Sequence, residues 1–224
     1  RLALKGDVRA AILDVDGTLV DSNDLHAESW VETLRYYGQE VAFSRVRPFI
    51  GMGDEPLLRL LGGDPSSHKG ISILSTRKDL FVQRYLPGVK PFPRVGELLA
   101  RMREEGLELA VASPSDDQLV ALLLEKTGAS ELVRKRLRSP EGNRSSSYPD
   151  RVKTVLSLLQ VRPRQAAMLG DTPYDEEAAL AANIAFVGLR SGGWSNASFM
   201  NAAALYENPA ELLERFEMSP FSNR

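Results

Sequence analysis

The sequence predicts an α/β protein with a Rossmann-like parallel sheet and an all-helical domain inserted after the first strand. Three observations predict this fold. Short apolar runs end at glycine or polar residues, helical patterns separate these runs, and residues 21–89 carry helical patterns alone. Strands that alternate with helices of this length are typical of right-handed βαβ units. We therefore expect a core domain of residues 1–20 and 90–224 and a helical insertion of residues 21–89.

The predicted elements of the core follow one another in a regular order. Their short apolar runs favour buried strands over helices. The predicted strands are residues 9–15, 107–112, 166–169 and 184–187, with a weaker candidate at 204–206. Apolar residues at helical spacing predict helices over 95–102, 119–123 and 152–159, which end before Gly106, Gly128 and Pro163. Residues 138–147 are polar and rich in serine, so we expect a mobile loop there.

The insertion is predicted to hold three helices, over residues 24–37, 54–61 and 72–85. A turn at 62–67 separates the last two. Residues 20–22 and 87–91 are the predicted hinges that join the insertion to the core.

Composition and charge exclude several classes of protein. The chain has 28 basic and 30 acidic residues, a balance that argues against a nucleic-acid-binding face. No apolar run approaches the ~20 residues that span a bilayer, and residues 1–6 do not resemble a signal peptide. With no cysteine and 2 histidines, any bound metal should have oxygen ligands. We expect a cytoplasmic monomer that binds neither nucleic acid nor membrane.

The most informative segment is residues 14–22, DVDGTLVDS. Asp14 and Asp16 come at the carboxyl end of a predicted parallel strand, where open α/β sheets bind ligands. Alternate residues of a strand face the same way, so the two carboxylates can approach one centre. Because such anions repel each other unless a cation joins them, Mg²⁺ is the natural candidate. The alternative is a strand end followed by an ordinary Asp-Gly turn.

Two further segments also follow predicted strands and open helices. Asp171 lies in the first, where Pro173 suits the first helical position. It is either a metal ligand or a helix N-cap. Ser113 lies in the second, where a hydroxyl and helix N-terminal amides suit a phosphate, although helix capping explains this serine equally well.

Together the three segments resemble the haloacid dehalogenase-like hydrolase superfamily, in particular its phosphatase branch with phosphoglycolate phosphatases and β-phosphoglucomutases. The resemblance covers essentially the whole chain, and the helical insertion is similar to the mobile cap of that family. It implies two-step phosphoryl transfer from a small phosphorylated metabolite, such as a phosphoglycolate- or sugar-phosphate-like compound. Asp14 would attack phosphorus and form an aspartyl-phosphate. Asp16 would protonate the leaving alcohol and then activate water.

The resemblance also implies the ligands of the metal and of the phosphoryl group. Mg²⁺ would be held by Asp14, the backbone carbonyl of Asp16 and Asp171, with Asp175 as a ligand or a support for the ligands. Ser113 would bind a phosphoryl oxygen.

The chain departs from the family pattern at two positions. Ser146 stands where a lysine is expected before a helix, so either another cation, Lys153 or Arg144, takes its place or the enzyme is slow. Of these we favour Lys153 as the phosphate-binding residue, and the alternative is that it is a solvated helix residue. Pro114, after the motif serine, has no backbone N–H to donate to phosphate.

In the insertion, four residues are candidates for substrate contact. His26 and Trp30 are four residues apart and share a helix face, although a structural histidine and a packed tryptophan explain them as well. Gly51 and Gly53 belong to a loop that resembles the substrate-reading loop of the family cap. Because Asp54 and its neighbours stand where mutases carry a phosphate-binding arginine, the sequence argues against a mutase.

The sequence leaves two functions open. The first is a Mg²⁺-dependent phosphatase of a small metabolite. The second is a family member with weakened catalysis that binds a ligand or partner, favoured by Ser146 and Pro114. A dehalogenase fits less well, because that chemistry has no use for the acid Asp16 or for a metal.

Overall fold

The computed structural model describes residues 7–133, 135–136 and 147–223. Its strands, in chain order, are β1 (Ala10–Leu13), β2 (Val20–Asp21), β3 (Lys90–Pro91), β4 (Glu108–Val111), β5 (Lys135–Arg136), β6 (Ala166–Gly170), β7 (Ala185–Leu189) and β8 (Ala204–Tyr206). Its helices are α1 (Asn23–Tyr36), α2 (Phe43–Val46), α3 (Asp54–Leu60), α4 (His68–Leu80), α5 (Val95–Glu104), α6 (Asp117–Lys126), α7 (Tyr148–Leu159), α8 (Pro173–Ala181) and α9 (Pro209–Glu214).

Six parallel strands form the central sheet, in the spatial order β5-β4-β1-β6-β7-β8. Strand β1 lies between β4 and β6, and Leu13 is in register with Val111 on one side and Leu169 on the other. The carboxyl ends of these three strands therefore meet at one edge of the sheet. The predicted α/β fold with a parallel sheet is confirmed.

Helices cover both faces of the sheet because its strands are apolar on both sides. In β1, Ala11 and Leu13 belong to a hydrophobic cluster that includes α5, α6 and α9. Their neighbours Ala10 and Ile12 belong to a second cluster, which includes α7 and α8. This alternation follows from the two-residue period of a strand, and it fixes β1 at the centre of the molecule.

A helical segment, residues 23–88, separates β2 from β3. Its buried residues form a third hydrophobic cluster around Trp30, Leu34 and Leu57. The residues predicted as hinges form a two-stranded antiparallel ribbon, with Val20 opposite Pro91 and Asp21 opposite Lys90. The chain thus leaves and re-enters the core at one place.

The structure differs from the predicted elements in several places. Helix α4 begins at His68 rather than at 72, because the Ser67 hydroxyl caps it by accepting the Gly70 N–H at 3.0 Å. A π-helical turn, Phe81–Tyr85, completes the predicted helix. Strand β5 and helix α2 have four residues or fewer and show no clear sequence pattern. Of the predicted mobile loop, residues 138–146 lie outside the described residues.

Within the part of the chain that the structure describes, no helix combines the length and apolar content needed to cross a bilayer.

Candidate active site

The ends of the three central strands bring the acidic side chains together. Asp14 directly follows β1 and Asp171 directly follows β6. Asp175 lies one turn further on, in α8. One carboxylate oxygen from each of the three lies within 4.8 Å of the others, and all three side chains are buried. The parallel topology therefore converts two distant sequence motifs into one cluster of carboxylates.

This cluster is electrostatically costly by itself. Burial raises the pKa of Asp14 well above its ordinary value, and the neighbouring carboxylates of Asp175, Asp171 and Asp16 raise it further. Burial and the charge of Asp175 likewise raise the pKa of Asp171. Asp14 Oδ1 is buried without a hydrogen-bond partner among the described residues. An oxygen-rich cluster with an unpartnered acceptor fits a hard divalent cation such as Mg²⁺.

Neutral donors fix the orientation of Asp171. The Thr18 hydroxyl donates to Oδ1 at 2.8 Å, and the Asn23 amide donates to Oδ2 at 2.9 Å. Gly17 turns the chain beside it with φ +72°, and a Cβ on that glycine would lie 2.2 Å from Asp171 Oδ2. Only glycine meets both demands, so the Asp-Gly step of the motif is required by packing as well as by backbone conformation.

Asp175 is held from two sides. Its Oδ2 accepts the backbone N–H groups of Asp171 and Thr172 and the Thr172 hydroxyl, at 3.1, 2.8 and 2.8 Å. Its Oδ1 lies 2.5 Å from the Tyr148 hydroxyl, a buried donor at the first turn of α7. The Asp171 position therefore depends on a turn that Asp175 closes, which suits a supporting role for Asp175.

The Asp16 carboxylate is turned away from the cluster and towards the helical segment. Its Oδ1 accepts from Ser22 Oγ at 2.5 Å and from His26 Nε2 at 2.6 Å, and its Oδ2 accepts from Ser115 Oγ at 2.9 Å. Burial acts to raise the pKa of Asp16, but the contacts with His26, Ser22 and Ser115 outweigh it and lower the pKa to about 2. Asp16 is therefore ionised at neutral pH.

His26 connects Asp16 to a buried arginine. Arg77 Nη2 lies 2.5 Å from His26 Nδ1, and Arg77 Nη1 lies 3.2 Å from Asp54 Oδ2. A guanidinium has no acceptor, so Nδ1 accepts and the ring proton stays on Nε2, where it is donated to Asp16. The His26 ring also stacks on Phe81, with centroids 3.9 Å apart. The predicted histidine thus contacts the site, and a second element of the helical segment fixes its tautomer.

The loop around Gly51 brings the helical segment against the core. Gly51 has φ +104°, and a Cβ there would lie 2.8 Å from Thr172 Cγ2. Gly51 and Gly53 both line a pocket between the helical segment and the strand ends, together with Asp14 and Asp16. Trp30 is fully buried within the third hydrophobic cluster and reaches the pocket wall only by donating its Nε1–H to Asp54 at 3.2 Å.

Ser113 and Lys153 have different surroundings. Ser113 is buried near the end of β4, where its Oγ accepts the Ser115 N–H at 3.2 Å. None of the described contacts brings Lys153 to the carboxylates, and its contact with phosphate stays a prediction. It lies on the exposed face of α7, with Nζ 3.7 Å from Asp150 Oδ1, because the helix turns Tyr148 inward instead. Ser146 and Arg144 lie outside the described residues.

Several site residues were not identified from the sequence. Ser22 and Thr18 belong to the first motif, so their hydroxyls could have been recognised there. Ser115 follows Ser113 by two residues at a strand end, which is a weaker signal. Arg77 has no local signal, because it lies 51 residues from His26 and only the packing of α4 on α1 brings them together.

Comparison with known proteins gives a consistent result. The family model described as haloacid dehalogenase-like hydrolase matches residues 11–189. A protein of Caldanaerobacter subterraneus named "Putative pyrophosphatase PpaX" is 29% identical over 189 residues, covering 84% of this chain and 83% of its own. The validoxylamine A 7'-phosphate phosphatase of Streptomyces hygroscopicus is 27% identical over 184 residues, covering 81% and 85%. A hydrolase structure from Pseudomonas syringae has a TM-score of 0.83 at 23% identity and covers 94% of this chain and 98% of its own.

Proposed function

The chain belongs to the haloacid dehalogenase-like hydrolase family, and on that premise we propose that it is a Mg²⁺-dependent phosphatase of a small phosphorylated metabolite. One observation carries the proposal. Asp14 presents an unpartnered, buried carboxylate oxygen beside Asp171, while the nearby Asp16 is held in a separate hydrogen-bond network. The two carboxylates of the first motif thus have different surroundings, as two different roles require.

Asp14 is the proposed nucleophile. Its carboxylate attacks phosphorus, the P–O bond to the alcohol breaks, and an aspartyl-phosphate forms. An attacking oxygen needs a free lone pair and a fixed position. Asp14 meets both needs, because Oδ1 has no hydrogen-bond partner among the described residues and the side chain is only 3% exposed.

Asp16 is the proposed acid and base. Its ionised form accepts a proton from the water that hydrolyses the aspartyl-phosphate. The negative charge of a bound phosphate ester raises the pKa of Asp16 and so favours the protonated form needed in the first step. His26 and Ser22 orient the carboxylate in both steps, since each holds Oδ1 at 2.6 Å or less.

Asp14, Asp171 and the backbone carbonyl of Asp16 are the proposed Mg²⁺ ligands, and Asp175 supports them. When bound, the ion supplies positive charge that offsets the three carboxylates and the phosphoryl oxygens. Ser113 is the proposed donor to a phosphoryl oxygen.

The helical segment is the proposed cap, with residues 21–89 forming one domain and residues 1–20 and 90–224 the other. Three contacts support a cap that closes on the core: His26 to Asp16, Lys78 Nζ to Asp116 at 2.8 Å, and Arg47 Nη2 to the Gly192 carbonyl at 2.8 Å. The β2–β3 ribbon is its proposed hinge. The cytoplasmic location and the monomeric state stay predictions.

A family member with weakened catalysis is the second candidate. It is favoured by one observation: no lysine or arginine of the described residues forms an ion pair with Asp14, Asp171 or Asp175. A missing cation leaves phosphoryl charge unbalanced, and such a donor is worth several kcal/mol in the transition state.

Turnover of para-nitrophenyl phosphate distinguishes the two candidates. The purified protein is assayed with Mg²⁺, with EDTA, and with Mg²⁺ restored, beside the Asp14→Asn variant. We expect turnover that EDTA removes, Mg²⁺ restores and Asp14→Asn abolishes. Binding of phosphate esters without turnover favours the second candidate, and turnover that EDTA leaves unchanged contradicts the metal site.

A further inference from the structure

The pocket between the helical segment and the strand ends has two chemically different sides. Asp14, Asp16 and Ser115 line the side on which phosphoryl transfer is proposed. Facing them, the helical segment contributes Asp54 among apolar side chains such as Leu57. The alcohol part of a substrate, which leaves when phosphorus is attacked, must lie against this second side.

Asp54 lines the pocket, and its carboxylate is held by two contacts. The Trp30 Nε1–H donates to Oδ1 at 3.2 Å, and Arg77 Nη1 lies 3.2 Å from Oδ2. The side chain is 36% exposed, so lone pairs remain for a ligand. A carboxylate fixed in this way accepts hydrogen bonds from hydroxyl or ammonium groups and repels anions.

Among the described residues that line the pocket, no side chain offers a free positive charge to an anionic leaving group. Arg77 is the one arginine or lysine of this described lining, and its side chain is 3% exposed and shared between Asp54 and His26. At the margin, Lys78 pairs with Asp116 at 2.8 Å. The described lining residues therefore include three aspartates and only one guanidinium, which is already paired.

We propose that Asp54 is a specificity-determining residue that selects phosphate esters of hydroxyl- or amine-bearing alcohols and rejects leaving groups that carry a carboxylate or a second phosphate. This inference rests on the proposed phosphatase function. It narrows the substrates to polyol or amino-polyol phosphates and excludes phosphoglycolate, pyrophosphate and sugar bisphosphates.

Two matched pairs of substrates test the wild-type protein with Mg²⁺. Sorbitol 6-phosphate and 6-phosphogluconate differ only in a hydroxymethyl or a carboxylate group at C1. Glucose 6-phosphate and glucosamine 6-phosphate differ only in a hydroxyl or an ammonium group at C2. We expect kcat/KM to be at least about 10-fold higher for sorbitol 6-phosphate than for 6-phosphogluconate. A tenfold ratio corresponds to about 1.4 kcal/mol, which is less than the free energy that bringing two like charges together costs. The ammonium compound should be hydrolysed as well as glucose 6-phosphate or better.

A charge-removing variant with a matched control assigns the selectivity to Asp54. Asp54→Asn keeps an acceptor for Trp30 but removes the negative charge that would repel an anionic leaving group. Its sorbitol 6-phosphate to 6-phosphogluconate ratio should fall about 10-fold or more. Glu55→Gln removes the same charge one residue away, where Glu55 pairs with Arg59 on the surface of α3, and should leave the ratio unchanged. Asp54→Glu should retain the ratio.

The outcomes separate this inference from the proposed function. Turnover of para-nitrophenyl phosphate reports on the function alone. If that turnover is normal and 6-phosphogluconate, phosphoglycolate or pyrophosphate is hydrolysed as well as sorbitol 6-phosphate, the selectivity is overturned and the phosphatase stands. An equal fall of the ratio in Asp54→Asn and Glu55→Gln also overturns it. Should Asp54→Asn fail to fold in a thermal melt, the wild-type ratios alone decide.

Discussion

Asp14 has a buried carboxyl oxygen that no described residue satisfies. The described residues provide no hydrogen bond to Oδ1, and burial together with three neighbouring carboxylates raises the pKa. Unsatisfied buried polar atoms are few in native proteins, so each needs an explanation. The proposed roles of Asp14 as nucleophile and metal ligand explain this one, since both require an oxygen that stays free for the group it binds.

The Asp14→Asn substitution should abolish turnover and stabilise the metal-free protein. An amide cannot attack phosphorus, but its N–H groups can donate to the remaining carboxylates of the cluster. We expect the free energy of unfolding in EDTA to rise by about 1–3 kcal/mol, the usual cost of an unpaired buried group. Urea denaturation in EDTA and a para-nitrophenyl phosphate assay with Mg²⁺ measure the two effects. Retained turnover, or a loss of stability in EDTA, would contradict the role of Asp14.

Tyr148 should stabilise the turn that presents Asp171. Tyr148→Phe removes a buried hydroxyl that lies 2.5 Å from Asp175 Oδ1, and hydrogen bonds to charged groups are worth about 1.5–3 kcal/mol. We expect a loss of that size in urea denaturation. Tyr85→Phe is the matched control, because its hydroxyl donates to Glu32 at the surface, where water can replace it. A loss in Tyr148→Phe no larger than in the control would show that Tyr148 does not support the turn.

At the scale of elements, the loop between α2 and α3 determines how closely the helical segment approaches the core. Gly51→Ala would place a Cβ 2.8 Å from Thr172 Cγ2, so the proposed cap would have to shift away from the core to relieve the clash. We therefore expect kcat/KM for para-nitrophenyl phosphate to fall about 10-fold or more, since misplacement by about 1 Å costs up to ~10²-fold.

Gly62→Ala provides the control for this loop. Gly62 also has a positive φ, +86°, but a Cβ there would meet nothing within 4 Å. Both variants place an alanine at a positive φ, a conformation that is strained for a residue with a Cβ. They should therefore have similar melting temperatures, and only Gly51→Ala should lose activity. Equal activity in the two variants would show that closure does not depend on the Gly51 contact.

The elements could be predicted where the sequence pattern is strong. Strand β1 has four consecutive buried apolar residues, and α7 has its buried residues at helical spacing before Pro163. Helix α4 was placed four residues too late, because its start depends on the Ser67 cap rather than on apolar spacing. Strand β5 has two residues, Lys135–Arg136, and its existence depends on pairing with β4.

At the scale of the whole molecule, the sequence predicted the acidic half of the site but not its surroundings. Asp14 and Asp171 stand at strand ends, and parallel topology is enough to bring such residues together. The contact between Arg77 and His26 depends on how two helices pack, and no local pattern encodes it. The sequence favours Lys153 as a replacement cation because it lies close to Ser146 along the chain. The register of α7 turns its side chain to solvent instead.

The proposed reaction transfers a phosphoryl group from the substrate to Asp14. Borohydride reduces an aspartyl-phosphate to homoserine, so turnover with excess substrate and Mg²⁺, stopped by borohydride, should leave homoserine at position 14. Mass spectrometry of the tryptic peptide of residues 10–35 reads the position directly. We predict homoserine at residue 14 when substrate and Mg²⁺ are both present. We predict none when EDTA removes the metal, and none in the Asp16→Asn variant when substrate is left out. Steady hydrolysis with residue 14 unmodified, or with homoserine at another aspartate, would contradict the account.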